Sequence, residues 1–235
     1  PVEDARLSNL KFATECLAFA NVPAESTVAR IPAGALAWKE RTPRDLGAGW
    51  DFEDVRDHYL ERLYRVHARE LRRSDPERYH SLSRLVTGDV MARAFSHWRR
   101  PGSCCGGALV LMLRDFWPGA GWGLLDDQGV PKPCWHALKQ VLQPVAVLIT
   151  DEGMNGLHAH VLNETPNALR CALQLHASRD GVRVADARRD IALPARGAVT
   201  IPCADMLDHF MDLNWSYRFG PPPCDVVSCV LIDET

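Results

Sequence analysis

The chain has 235 residues, 46% of them hydrophobic and 24% charged, with 27 basic against 30 acidic side chains for a formal charge of −3. So even a balance gives no general electrostatic reason to bind nucleic acid, and the longest clean apolar stretch, Ala108 to Leu113, falls far short of the roughly 20 residues that cross a bilayer. The length allows one or two domains with ample core-forming material.

The first residues, Pro1-Val2-Glu3-Asp4, show no basic n-region and no apolar h-region, so the expectation is a cytoplasmic protein. Eight cysteines include no C-x-x-C pair, and the adjacent Cys104-Cys105 cannot easily bridge to each other. Cys171 and Cys229 lie among apolar neighbours, the setting of buried thiols that act as small hydrophobes. His158 and His160 would share a strand face, but no third ligand is near, so no metal is expected.

From Trp50 to Gln143 the sequence has helical period. Asp51 can cap a helix in which Phe52, Val55, Tyr59, Leu63 and Val66 recur at i, i+3, i+4, and whose interleaved Arg and Glu read as a solvated face with side-chain pairs. Asp75-Pro76 restarts the chain, with Asp75 at the cap and Pro76 at the first helical position. This second helix turns Tyr79, Leu82, Leu85, Val86, Met91, Ala94, Phe95 and Trp98 toward a core and stops at Arg99-Arg100-Pro101-Gly102. Gly107 to Leu113 then reads as a strand buried on both faces, as in parallel sheets. A helix over about Pro133 to Val141 packs Trp135, Leu138 and Leu142. After Pro144 come short strand candidates at 145–149, 157–162, 169–176, 182–184, 198–201 and 226–232, separated by turn signals, a pattern that suggests an antiparallel sandwich of immunoglobulin-like type.

The most distinctive segment runs Leu113-Arg114-Asp115-Phe116-Trp117-Pro118-Gly119-Ala120-Gly121-Trp122, through Asp126 and Gly129-Val130-Pro131-Lys132-Pro133, to Trp135-His136-Ala137-Leu138. Aromatic faces beside carboxylates suit sugars, because a pyranose has an apolar C–H face and polar hydroxyl edges. The stretch resembles the last barrel strand and following loop of family 2 glycoside hydrolases, particularly the β-mannosidase branch. There a pattern close to Leu-Asn-Asp-Cys-Trp-Pro precedes Trp, Asp, Gly-x-Pro-Lys and an aromatic-Ala-Leu helix. Arg114 departs from the usual Asn and Phe116 from the usual Cys. A second match, Phe12-Ala13-Thr14-Glu15, resembles the family's Phe-x-Ser-Glu at the end of the seventh barrel strand, although the Gly-containing segment that usually follows is missing.

The resemblance covers most of the chain and is strongest from Ser96 to Leu142. It implies residues 1–143 as the C-terminal part of a (β/α)8 TIM-barrel glycosidase domain and residues 144–235 as an immunoglobulin-like sandwich, since a whole barrel takes about 250 residues. The implied activity is retaining hydrolysis of terminal β-mannosides without a cofactor or metal. Glu15 is the implied nucleophile and Trp117 the floor of the sugar subsite, with Trp122, Asp115 and Asp126 as further subsite or loop residues. Val161-Leu162-Asn163-Glu164-Thr165 resembles a strand-to-turn passage of the sandwich. Its Asn163-Glu164 is not the family's acid/base pair, which lies upstream of the nucleophile. The expected partners are a carbohydrate, and either the missing barrel portion or a second copy; nucleic acid and membrane are not expected. A competing reading makes the sandwich a carbohydrate-binding or purely structural module.

Overall fold

The structure, a computed structural model, describes residues 2–32 and 35–233. It divides into two compact units, residues 1–95 with 104–140, and residues 96–103 with 141–235. No described helix is long and apolar enough to cross a membrane.

The first unit is mostly helical. It contains α1 (Val2–Leu7), β1 (Ala13–Cys16), α2 (Glu25–Val28), α3 (Ala35–Glu40), α4 (Phe52–Tyr64), α5 (Ala68–Ser74), most of α6 (Pro76–Arg99), β2 (Ala108–Val110) and nearly all of α7 (Pro133–Val141). Asp51 caps α4 as expected: its Oδ1 accepts from the Glu53 and Asp54 backbone N–H groups, and Asp54 Oδ2 accepts from the Asp51 N–H, a reciprocal capping box. Asp75 likewise accepts from the Arg78 N–H at the start of α6. Leu60, Ala68, Tyr79 and Val86 form a core between α4, α5 and α6.

Four expectations need correction here. Leu142, just past α7, does not pack but is 45% exposed. The face of α4 is not simply solvated: Arg56 is 1% exposed and Glu53 is 2% exposed. Leu85 points outward instead of joining the core of α6. The strand after α6 is not buried on both faces, because β2 is three residues long, pairs only with β1 among the described residues, and leaves Leu109 58% exposed. A two-stranded sheet has no neighbours to cover its second face.

The second unit contains β3 (Val145–Asp151), β4 (Leu157–Asn163), β5 (Leu169–Arg179), β6 (Val182–Leu193), β7 (Ala198–Pro202) and β8 (Val226–Asp233), with short 3-10 turns at Gly153–Asn155 and Cys203–Met206. Every strand candidate is found, β6 much longer than its apolar start suggests. Two antiparallel sheets, ordered β3-β4-β7 and β6-β5-β8, share one core. Ala159, Val161 and Ile201 come from one sheet; Cys171, Leu173, Leu175, Ala177, Ile191 and Leu193 come from the other. Asp180 and Gly181 both have positive φ between Arg179 and Val182, the two-residue turn that matches strand twist and fixes the β5–β6 register. Asn163 is a turn former: its side chain donates to the Asn167 and Pro194 carbonyls and accepts from Thr165. All eight cysteines are free thiols, and no described group of His, Cys, Asp and Glu could hold a metal ion.

His160 on β4 lies 3% exposed between the hydroxyls of Thr150, 2.8 Å from Nε2, and Thr200, 2.9 Å from Nδ1. Burial pushes its imidazole down to about 4, against the opposing pull of Glu152 and aided by His158, Arg100 and His97. The unfolded chain therefore binds this proton below about 6.5 while the folded unit refuses it until about 4. Stability from this site is complete above that window and is lost as pH falls through it, by on the order of 1–2 kcal/mol after allowing for solvent screening. Urea unfolding at pH 7 and pH 4.5 should show this loss, and His160→Gln should flatten the difference; an equal pH slope in the variant would refute the assignment.

Candidate active site

β1 and β2 run parallel, with Ala13 opposite Ala108 and Cys16 opposite Val110. Glu15 therefore stands one residue before the end of β1, exposed, beside the strand that leads into the Trp117 loop. Beyond β2 the chain folds back on itself. Leu124 N–H donates to the Met112 carbonyl, Leu125 to Leu113, and Asp115 to Leu125. The loop thus returns as an arm whose far side runs parallel to its start, Arg114 opposite Leu125, with Phe116 and Trp117 exposed between the two and Trp117 54% accessible. The two rings lie 6.2 Å apart.

Of the further subsite or loop residues, Asp115 and Asp126 are turned inward and Trp122 is half-buried. Asp115 is 5% exposed; its Oδ1 accepts from the Gly123 N–H at 2.7 Å and its Oδ2 takes Lys132 Nζ at 2.5 Å. Lys132 also donates to the Asn21 carbonyl at 2.9 Å and the Gly121 carbonyl at 3.2 Å, so one buried ammonium joins three parts of the chain. Burial pushes the Lys132 ammonium down, and the Asp115 carboxylate opposes that push. Asp126, 1% exposed, accepts from Thr27 Oγ1 at 2.5 Å and from the Gln128 and Val130 N–H groups. The Thr27 hydroxyl, those N–H groups and Arg30 hold its carboxyl below the usual range despite burial. Both carboxylates shape the loop; their oxygens are taken by the loop's N–H groups, Lys132, Thr27 and Arg30. Trp122 packs edge-on against Phe52 at 5.2 Å, a contact between two half-buried rings.

Sequence reasoning missed the residues that hold this arm. Asn21 donates to the Trp122 and Gly123 carbonyls, and Arg30 grips Asp127 through two bonds of 2.7 Å. Arg114, the departure from the family's Asn, gives its guanidinium to the Asp127 carbonyl. An Asn followed by a Thr-x-x-Arg spacing carries no recognisable motif, so only the fold brings these groups to the loop. Gly123 is fixed by space: a Cβ there would sit 2.5 Å from both the Asp115 nitrogen and the Leu125 oxygen. Gly123→Ala should lower stability by on the order of 1–3 kcal/mol, read as a shift of the urea midpoint, and an unchanged midpoint would show that the arm is slack.

No protein-family model matches the chain. Beta-mannosidase B of Aspergillus niger is 35% identical over 106 residues, which is 43% of this chain and 13% of that protein. Beta-mannosidase B of Neosartorya fischeri is 30% identical over 133 residues, 55% of this chain and 16% of that protein. Among solved structures, the β-D-mannosidase of Dictyoglomus thermophilum matches with a TM-score of 0.61 at 20% identity, over 85% of this chain and 24% of that one. The Amycolatopsis orientalis exo-chitosanase matches with a TM-score of 0.67 at 14% identity, over 95% of this chain and 27% of that one. These relatives and neighbours are glycoside hydrolases, and the chain's similarity to the β-mannosidase branch of family 2 rests on both sequence and fold. It spans about an eighth to a sixth of the curated relatives' length.

Proposed function

We propose that the chain is the counterpart of the C-terminal part of a retaining exo-glycosidase that hydrolyses terminal β-mannosides. On this reading the first unit is the closing portion of an eight-stranded α/β barrel, the second is an immunoglobulin-like sandwich, and the division falls near residues 141–144. The observation that carries the reading is the parallel pairing of β1 with β2, which sets Glu15 beside the strand feeding the Trp117 loop. Catalytic groups of such barrels gather at the C-terminal ends of the strands.

The Glu15 carboxylate attacks the anomeric carbon while the bond to the leaving oxygen breaks, and a second carboxylic acid protonates that oxygen. The product is a glycosyl ester of Glu15, which water then cleaves with the second group acting as base. Trp117 offers an exposed ring face to the apolar side of the pyranose and keeps water from the developing oxocarbenium ion. Asp115, Lys132, Asp126 and Arg30 serve by holding the arm that carries Trp117. The chain contains no counterpart of the family's acid/base motif upstream of Glu15.

The isolated chain should therefore show no hydrolysis of nitrophenyl β-mannoside above background. The full-length gene product should cleave it in preference to the β-galactoside and β-glucosaminide. Turnover by the 235-residue chain that depends on Glu15 would mean a second carboxylate within it completes the site; a full-length product inert toward all three substrates would sink the glycosidase reading.

A further inference from the structure

The segment joining β7 to β8 carries an aromatic cluster that hydrolysis does not use. We propose that Phe210, Tyr217 and Phe219 form a carbohydrate-binding platform, built by residues of the second unit alone, for an oligosaccharide of β-linked hexopyranoses. The Tyr217 and Phe219 rings are nearly parallel, 19° apart with centroids at 6.1 Å, and Phe210 meets Tyr217 edge-on at 5.8 Å. All three are exposed, Phe210 to 72% and Phe219 to 84%.

The Tyr217 ring and the backbone leading to Phe219 are held in place. Asp212 accepts from the Ser216 and Tyr217 N–H groups at 2.9 and 2.8 Å. Asn214 donates to Asp151 Oδ1 and the Gly153 carbonyl, Ser216 Oγ to the same carbonyl, and the Tyr217 hydroxyl to the Met154 carbonyl. Trp215 donates to the Gly220 carbonyl, and the Arg218 guanidinium lies 5.9 Å over the Trp215 ring. Trp215 and Arg218 both sit in the left-handed region, at φ 53° and 56°, a conformation uncommon for bulky side chains that persists only when its surroundings enforce it. The fold thus spends hydrogen bonds and backbone strain to keep three apolar rings in water, where burying them would be favourable.

A pyranose fits that arrangement. Its C–H face stacks on a fixed ring, and its hydroxyls find donors and acceptors at the ring edges. The flanks supply both: Arg218 on one side, and His209 paired to Asp208 at 2.6 Å. Charges of both signs suit a neutral hydroxylated ligand, and three rings offer much less than the roughly 800 Å² per partner of a stable protein interface. The choice of a sugar also rests on the glycosidase reading, since it presumes a chain that works among β-linked glycans.

The test is calorimetric titration of the 235-residue chain with β-1,4-mannotetraose. Saturable binding is expected. It should weaken by about tenfold or more, near 1.4 kcal/mol, in Phe219→Ala or Tyr217→Ala, and should be restored in Phe219→Trp; circular dichroism checks that each variant is folded. Absence of saturable binding by the unaltered chain would overturn the proposal. So would binding that survives Phe219→Ala but disappears in Trp117→Ala, and so would a self-association, seen by light scattering, that Phe219→Ala abolishes while sugar binding is unaffected. If the full-length product fails to cleave β-mannosides while Phe219-dependent binding persists, the glycosidase reading falls and the platform stands.

Discussion

On the proposed glycosidase reading, Glu15→Gln in the full-length gene product should lower kcat/KM on an aryl β-mannoside by about 10⁴-fold, which corresponds to about 5.5 kcal/mol of transition-state stabilisation. The amide is nearly isosteric but cannot form the glycosyl ester, and the Glu15 side chain is exposed on β1, so the fold should be indifferent to the change. A second variant separates chemistry from structure. Glu15→Gly opens space from which added azide can attack the anomeric carbon on the face the carboxylate used. With a substrate whose aryl leaving group needs no proton, azide should restore turnover and yield the α-glycosyl azide, inverted relative to the substrate. Retained activity in Glu15→Gln, or failure of azide to rescue Glu15→Gly in a folded protein, would remove Glu15 from the role of nucleophile.

Legibility in the sequence followed how local each feature's cause is. The caps at Asp51 and Asp75 and the strands of the second unit were readable, because a cap, a turn dipeptide or an alternating run is written within a few residues. β6 was read only at its start, Val182 to Val184. Its continuation, Ala185 to Asp190, is mostly charged because it lies at a sheet edge, paired among the described strands with β5 alone, and Arg183, Arg188 and Asp190 face water. Edge strands gain from such charges, which discourage pairing with other chains, and the same charges erase the strand signal. The candidate site divides in the same way. Glu15 and Trp117 were singled out through motifs. Asp115 and Asp126 were singled out too, but without their partners: a carboxylate beside tryptophans looks the same in sequence whether it faces a sugar or Lys132. Its partners come from residues 21–30 and 132, and no local pattern announces contacts that distant.

Arg56 shows the same limit with the largest consequence for stability. Its spacing on α4 puts it among residues that look solvated, yet its guanidinium is buried with Glu53 at 3.1 Å, Asp57 at 3.7 Å and the Tyr79 hydroxyl at 2.8 Å. Arg72 reaches Glu53 at 2.7 Å and Asp57 at 2.8 Å, and Lys39 reaches Glu53 at 2.8 Å. Burial drives the Glu53 carboxyl up, but Arg56, Lys39 and Arg72 together hold it below its ordinary range, while Asp57 is left above its own. Burial and the neighbouring carboxylates push the Tyr79 phenol up to about 12 against the pull of Arg56. Lys39 and Arg72 reach the site from side chains 39% and 40% exposed, whereas Arg56 and Glu53 are both buried, so removing Arg56 leaves the Glu53 carboxylate without its one desolvated partner. Arg56→Met should therefore cost about 3–5 kcal/mol, read as a fall in the urea midpoint. The exposed pair of Arg62 with Glu3 offers the control: Arg62→Ala should change stability by no more than about 1 kcal/mol. Tyr79→Phe should cost about 1–2 kcal/mol alone, and less than that in the Arg56→Met background, because both variants break one network. Equal effects from Arg56→Met and Arg62→Ala would mean that the buried cluster adds nothing a surface pair does not, and that the core of α4 and α6 rests on Leu60, Tyr79 and Val86 by packing alone.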